Sequence, residues 1–205
     1  MKSLKLLTTT TLLTAALMAR GDGWERNPLQ GFYANANVGV NIMPTIHYTA
    51  GGRLSTEIGE RAGASAGYMV PIAKNTGVGL ELELAETLNG LDNDGFGNSL
   101  RGYYYQFPFL VNGVIVCRAV PKFAFFAGAG GGGVYTELHV REVNGFDVDF
   151  NDHETDGAFQ AMGGVSYEVI KNGDVGIAYK YLSVFGEHAD HIDSHAVVGT
   201  FTWHF

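Results

Sequence analysis

Apolar and polar residues alternate with a period of two through most of the chain beyond residue 30. This is the period of a β-strand, in which successive side chains point to opposite faces of a sheet. In the last segment one face carries His195, Val197, Gly199, Phe201, Trp203 and Phe205, and the other carries Ala196, Val198, Thr200, Thr202 and His204. The first face is mainly apolar and aromatic and the second is small or polar, so the pattern predicts a strand between two different environments.

Eight segments follow this pattern: residues 32–42, 62–70, 77–84, 103–116, 123–136, 159–169, 175–182 and 195–205. Short connections (71–75, 118–122 and 171–174) alternate strictly with long polar ones (43–60, 89–101, 137–157 and 184–194). Single-chain transmembrane barrels have an even number of strands, short periplasmic turns and long extracellular loops. We therefore predict an all-β fold, an eight-stranded antiparallel up-and-down transmembrane β-barrel with periplasmic termini.

The polar face of the strands is predicted to line the interior. A soluble, lipocalin-like barrel would hide the apolar face instead, but eight strands leave room inside only for side chains. The charged residues on the polar face are Arg61, Glu81, Glu83, Glu168 and Lys180. Because a buried ion without its partner costs about 3–5 kcal/mol, we expect these residues to form an interior charge network. A proton or ion path is the alternative.

Aromatic residues near the segment ends predict two interfacial girdles. The periplasmic girdle would consist of Phe32, Tyr68, Phe123, Tyr167, Trp203 and Phe205, and the outer girdle of Tyr104, Tyr135, Phe159, Tyr181 and Phe185.

The N-terminus has the features of a secretory signal peptide. Lys2 and Lys5 precede a Leu/Thr/Ala run that ends at Ala19. We expect residues 1–19 to be a cleaved signal, 20–30 a periplasmic lead and 31–205 the barrel. The chain is acidic, with a net charge of −8, and it has no basic cluster. Both features argue against nucleic acid as a partner. Cys117 is the only cysteine, so no internal disulfide is expected.

Gly128, Gly130 and Gly133 match the spacing of a dinucleotide-binding loop, G-x-G-x-x-G. That loop must open a helix, whereas the residues after Gly133 are typical of a strand. We therefore expect no cofactor and attribute the glycines to close strand packing.

The last long loop holds three histidines, His188, His191 and His195, with acids between them. Imidazole and carboxylate groups can bind zinc or copper, although a solvated polar loop is the simpler interpretation. Asp193, Ser194 and His191 also contain the residue types of a hydrolytic triad, but neighbours on one loop rarely converge on one point. The acidic stretch 147–156 lacks the spacing of an EF-hand and is predicted to be a solvated loop.

Two stretches resemble the central hairpin of small outer-membrane β-barrel proteins of the OmpA/OmpX and opacity-protein type. They are Gln106-Phe107-Pro108-Phe109-Leu110-Val111-Asn112 and the run from Pro121 through the glycines to Tyr135. The aromatic ending Thr202-Trp203-His204-Phe205 also matches that family. The resemblance implies that Trp203 and Phe205 belong to the signal recognised by the barrel-assembly machinery. Because no peptidoglycan-binding domain follows Phe205, a cell-wall tether is not expected.

These features predict a non-enzymatic barrel of the bacterial outer membrane that presents surface loops for envelope integrity, adhesion or surface interaction. Its expected partners are outer-membrane lipid, lipopolysaccharide, the barrel-assembly machinery and an extracellular ligand or host surface. A narrow solute channel is one alternative, disfavoured because eight strands leave little lumen. A membrane-embedded lipid A hydrolase is the other.

Overall fold

The computed structural model describes residues 29–47, 53–94, 97–185 and 191–205. The strands are β1 Gly31–Ile42, β2 Ile46–His47, β3 Arg53–Thr56, β4 Gly59–Ala73, β5 Thr76–Asn93, β6 Leu100–Val120, β7 Phe123–Val143, β8 Phe146–Ile170, β9 Gly173–Phe185 and β10 Ile192–His204. Within these ranges no helix has the length and hydropathy needed to cross a bilayer.

Eight of the strands form a closed ring. β1 pairs with β4, and β4 to β10 then pair antiparallel in chain order. The ring closes because β10 pairs with β1, with Tyr33 opposite His204 and Ile42 opposite His195. The predicted eight-stranded antiparallel barrel is therefore confirmed, and the short strands β2 and β3 lie outside the ring.

The side chains alternate between the two faces of the wall as the sequence pattern predicted. On β5, Leu80, Leu82 and Leu84 are exposed, whereas Glu81 and Glu83 between them are only 6 % and 1 % exposed. The other strands of the ring also present large apolar side chains on the outside, so a belt of exposed Leu, Val, Ile, Phe and Tyr surrounds the barrel. Such a belt faces hydrocarbon in a transmembrane barrel.

Glycines on β7 allow its neighbours to come close. A Cβ added at Gly130 would lie 2.1 Å from the Val111 carbonyl oxygen, and one added at Gly132 would lie 2.1 Å from that of Phe109. Any larger residue would push β6 away from β7. Gly128, Gly130 and Gly133 thus lie inside a strand, which is not the position of a dinucleotide-binding loop.

The three predicted short connections are two-residue turns at 74–75, 121–122 and 171–172. Lys122 and Asn172 have φ values of 68° and 70°, the left-handed conformation that tight turns require. Each turn carries one lysine, Lys74, Lys122 or Lys171. We call this side of the barrel the turn end.

The prediction of a long loop at 137–157 is wrong. β7 continues to Val143 and β8 begins at Phe146, joined by a turn of two residues. Asn144 and Gly145 have φ values of 52° and 84°, and positive φ at both central residues is the type I′ turn that Asn-Gly favours in hairpins. The acidic stretch 147–156 is consequently part of a strand.

Other long connections are also shorter than predicted, since β5 extends to Asn93, β6 begins at Leu100, and β9 extends to Phe185. Beyond the ring, the distal parts of β5 to β8 continue as one sheet. β3 joins this sheet through Ser55 opposite Asn93, and β2 joins it through Ile46 opposite Leu54. We call this part, on the side away from the turn end, the extended sheet.

The predicted aromatic girdles are found in part. At the turn end, the rings of Phe32 and Tyr68 lie 4.9 Å apart and those of Phe123 and Tyr167 lie 4.8 Å apart. The assignment of Tyr104 to the outer girdle is wrong, because this residue is 4 % exposed and faces inward. The blurred alternation of its segment did not reveal which face it occupies.

The apolar belt predicts a strong penalty for a charge on the outer face. Leu82→Arg should destabilise the barrel in phospholipid vesicles by about 2–4 kcal/mol, the cost of arginine near the middle of the bilayer. Ile58→Arg, at an exposed site outside the strands, should change stability by less than about 0.5 kcal/mol. Equilibrium urea unfolding in vesicles measures both, and equal effects would contradict a lipid-facing position for Leu82.

Candidate functional site: a filled interior and an open sheet edge

A central charge cluster fills the middle of the barrel. Arg61 on β4 donates to Glu83 on β5 over 3.0 Å, and the Lys180 ammonium on β9 donates to the same carboxylate oxygen. The side chains of Arg61 and Glu83 are 1 % and 0 % exposed. Gln160 and Asn112 donate to the other Glu83 oxygen over 2.7 and 2.8 Å. Through its two oxygens, Glu83 therefore connects β5 to four other strands, β4, β6, β8 and β9.

Glu81 lies in the next inward position on β5 and is held by three neutral donors. Tyr33 and Ser65 donate to one oxygen over 3.0 and 3.2 Å, and Asn112 donates to the other over 3.3 Å. Asn112 bridges Glu81 and Glu83. Three of the five predicted inward charges, Arg61, Glu83 and Lys180, are thus in direct contact, and Glu81 is connected to Glu83 through Asn112.

Glu168, the fifth predicted charge, lies apart from this cluster at the turn end. It pairs with Arg118 over 3.5 Å, and Arg118 also pairs with Asp174. His204 Nε2 lies 3.1 Å from the same Asp174 oxygen. Both Arg118 and Asp174 fall in predicted short connections, and the structure places Arg118 on the inward face of β6 that Val114 and Val116 also occupy.

A cavity of about 70 Å³ lies in the turn-end half of the barrel, between this second group of charges and the central cluster. Tyr33, Glu81, Lys180, Asp174 and His204 are among the residues that line it. Its volume is that of a few water molecules, so the interior holds no wide lumen at this level.

The other half of the interior is closed by an apolar core, here called the apolar cap. It consists of Met43, Ile46, Leu54, Leu91, Leu100, Tyr104, Leu110, Val134, Ala158, Leu182, Val184 and Ile192. Met43, Ile46 and Leu54, from the described parts of the connection between β1 and β4, join this core together with Val184 and Ile192 at the mouth of the barrel. Leu138, Val140 and Val143 of the extended sheet pack against the cap from one side.

The described residues of the predicted metal site and triad make separate contacts. His195 lies 2.6 Å from the Tyr179 hydroxyl, whereas the His191 ring contacts Phe185, and His188 lies outside the described residues. In the part of the chain that the structure describes, no three His, Cys, Asp or Glu side chains are grouped as metal ligands.

Strand alternation also separates the residues considered for a triad. Ser194 is 1 % exposed and donates to Asn41 inside the barrel over 2.6 Å. Asp193 accepts from Tyr181 over 2.9 Å. Neighbours on one strand point to opposite faces, so Ser194 and Asp193 have no common site.

Trp203 and Phe205 lie at the turn end, where the last strand closes the ring. Trp203 is opposite Ala34, and the Phe205 N–H donates to the Phe32 carbonyl over 2.9 Å. The end of the chain is thereby attached to the beginning of β1.

The extended sheet has an open edge on β8. β8 pairs with β9 only from Gly157 onward, opposite Phe185, whereas its pairing with β7 continues to Phe146. Among the described residues, β7 is the one strand that pairs with residues 146–156. We call Phe146–His153 the edge segment.

Side chains on the outward face of the extended sheet contact one another across neighbouring strands. The rings of Tyr103 and His139 stack at 5.2 Å, and the Arg141 guanidinium lies 5.6 Å above the Tyr103 ring. Tyr103 donates to Glu137 over 2.9 Å, and His139 lies 3.8 Å from Asp149. These contacts join β6, β7 and β8 and give the sheet a defined shape above the barrel wall.

The central charge cluster predicts a specific order of stability among variants. Glu83→Gln leaves the buried Arg61 and Lys180 without their carboxylate and should cost about 3–5 kcal/mol. The triple variant Arg61→Met, Glu83→Leu, Lys180→Met removes all three charges and should be more stable than Glu83→Gln. Glu86→Gln, at an exposed position on the same strand, is the matched control and should have little effect. Urea unfolding in vesicles would contradict the cluster's role if Glu83→Gln behaved like this control.

Comparison with known proteins shows which family this architecture belongs to. The family model described as outer membrane protein beta-barrel domain matches residues 6–205. No curated protein matches significantly. Among solved structures, the chain is similar in fold to Neisserial surface protein A (NspA), with 16 % identity, 85 % of this chain and 97 % of that chain covered, and a TM-score of 0.56.

Two further similarities are to the outer membrane protein OprG from Pseudomonas aeruginosa and the outer membrane protease OmpT from Escherichia coli. OprG has 13 % identity, coverage of 86 % and 98 %, and a TM-score of 0.50. OmpT has 6 % identity, coverage of 86 % and 97 %, and a TM-score of 0.51. At these identities the likeness concerns the fold alone. The family match over nearly the whole length shows that this chain belongs to the outer membrane protein beta-barrel domain family and lies in the bacterial outer membrane.

Proposed function

We propose that this protein is a non-enzymatic surface barrel, whose role in adhesion, envelope integrity or surface interaction is performed by the extended sheet and its connections. The observation that carries this proposal is the filled interior: charged groups occupy the middle and the apolar cap closes the outer half. The exposed part of the molecule that remains for function is the sheet above the membrane.

A channel is the less favoured alternative. A solute would have to pass Glu83 with its four hydrogen-bonded partners and then the apolar cap, in which Val134 and Val184 are fully buried. Moving ions through such a segment requires either charge separation in the cluster or water in an apolar region, and both are costly.

A lipid A hydrolase is also less favoured. Ser194 donates a hydrogen bond to Asn41 inside the barrel. Asp193 accepts a hydrogen bond from Tyr181 on the opposite face. Neither residue is therefore placed to act on a lipid together with His191. The likeness to the protease OmpT is one of fold and transfers no activity.

In planar bilayers, the refolded protein should give no steady unitary currents, because the interior is closed at two levels. Lipid A from cells with and without expression should have the same mass spectrum. Steady currents would replace this proposal with the channel, and a mass change lost in Ser194→Ala would replace it with the hydrolase.

A shortened hairpin tests the positive part of the proposal. Residues 139–151 would be replaced by Asn-Gly, which joins Leu138 to Asp152, a pair of facing residues. The variant should remain a folded, heat-modifiable barrel but lose surface phenotypes of the wild type, measured as binding of intact cells to host-cell layers and survival in detergent. Cells with the variant that behave like cells with the wild type would contradict a role for the extended sheet.

We further propose that Trp203 and Phe205 act in recognition by the barrel-assembly machinery. Deletion of Phe205 should lower the amount of folded barrel in the outer membrane several-fold, whereas protein refolded in vitro should differ little in stability, because one backbone hydrogen bond at a strand end contributes only about 1 kcal/mol. Quantitative gel analysis of heat-modifiable protein in membranes measures this. Equal loss in cells and in vitro would assign Phe205 a structural role alone.

A further inference from the structure

Among the described residues, the edge segment of β8 pairs with a strand on one side only, and that strand is β7. Alternate residues of a strand direct their N–H and C=O groups to each side, so the edge segment presents a row of backbone donors and acceptors on the side away from β7. Natural proteins usually shorten, twist or cover such edges. Here the edge is eight residues long in the aqueous region above the barrel.

From Phe146 to Phe150, the apolar and the acidic side chains of the edge segment lie on different faces. Phe146, Val148 and Phe150 share one face and are 76 %, 39 % and 52 % exposed. Their face is that of the apolar cap, since Phe146 is opposite Val143 and Phe150 is opposite Val140, and both valines pack against the cap. An apolar strip thus continues from the core to the open edge.

The opposite face of the edge segment is acidic. Asp147 and Asp149 lie on it, and the side chain of Asp149 is 90 % exposed. Asp152, which is also exposed, is opposite Leu138 and therefore lies on the other face, that of the apolar cap. The chain as a whole is acidic, with a net charge of −8, so its field attracts cations toward this region.

We propose that the edge segment binds an extended polypeptide in which basic and apolar residues alternate, adding it to the sheet as a further strand. The backbone of the incoming strand would pair with β8. Its apolar side chains would cover Phe146, Val148 and Phe150, and its basic side chains would face Asp147 and Asp149. Opposite charges and apolar pairs on facing strands stabilise a sheet, and strand addition is an established mode of peptide recognition in general.

Charge selects this occupant over a second copy of the chain. Two edge segments that paired with each other would bring Asp147 and Asp149 of one copy next to the same acids of the other. Like charges directly opposite each other destabilise a pair of strands. The inference rests on the surface role proposed above and names the class of partner for it.

The test uses the full-length refolded protein and a capped, fluorescein-labelled octapeptide of four Lys-Val repeats. A control peptide has the same composition in the order Lys-Lys-Val-Val repeated twice, which preserves charge but destroys the alternation. Fluorescence anisotropy should show saturable binding of the alternating peptide, at least about tenfold tighter than that of the control peptide. Hydrogen exchange should slow in residues 146–153 when the alternating peptide is added.

Matched variants separate the edge from general electrostatic attraction. Asp147→Lys with Asp149→Lys should weaken binding at least about tenfold. Glu60→Lys with Glu86→Lys changes the net charge equally at exposed sites away from the edge and should change affinity less than about twofold. Phe146→Ser with Phe150→Ser tests the apolar face and should also weaken binding. Heat-modifiable migration verifies that each variant is folded.

Several results would overturn the inference. They are the absence of saturable binding to the wild type, equal affinity for the two peptides, and an equal effect of the two charge-changing double variants. Concentration-dependent self-association that the Asp147 and Asp149 substitutions abolish would assign the edge to a second copy instead. If the same preparation is non-conducting and the shortened hairpin still abolishes the surface phenotypes, only this inference fails and the proposed function stands.

Discussion

The antiparallel pairing of β1 with β10 is the interaction on which the rest of the structure depends. Hydrocarbon offers no hydrogen-bond partner, so every backbone N–H and C=O within the bilayer must be paired inside the chain. The ladder from Tyr33–His204 to Ile42–His195 closes the ring and so removes the two edges that β1 and β10 would otherwise present to lipid. An edge is tolerated only where water reaches the backbone, and the edge segment of β8 lies beyond the end of β9, in that region.

Closing the ring with eight strands also determines what lies inside it. The interior is narrow, so the polar side chains of the strands must form hydrogen bonds and ion pairs with one another there. Glu83 does this for Arg61, Lys180, Asn112 and Gln160, while apolar side chains fill the outer half. A filled interior leaves the extended sheet as the place where the molecule meets other molecules.

Period-two alternation is sufficient to predict the eight strands, the faces of most of them and the inward position of Glu81, Glu83, Arg61 and Lys180, because a strand has only two faces. The apolar cap was not predictable in this way. Met43, Ile46 and Leu54 follow no strand pattern, and their burial depends on how a loop folds over the mouth. The β7–β8 hairpin differs from the predicted loop for another reason: its charged residues are typical of a loop, although Asn144-Gly145 is a strong hairpin signal. Arg118 and Asp174 were missed because an inward residue beside a turn resembles a turn residue.

The closure of the barrel is linked to the balance of charge in its interior. Arg61, Glu81 and Glu83 lie on the adjacent strands β4 and β5, so this first hairpin carries one excess negative charge on its inward face. Lys180 is 97 positions after Glu83 in sequence and belongs to the strand before the last. Lys180 balances this charge, and β10 then completes the ring. An unclosed intermediate would therefore keep a charged inner surface that favours water over lipid, and the membrane itself would discriminate between the open sheet and the finished barrel.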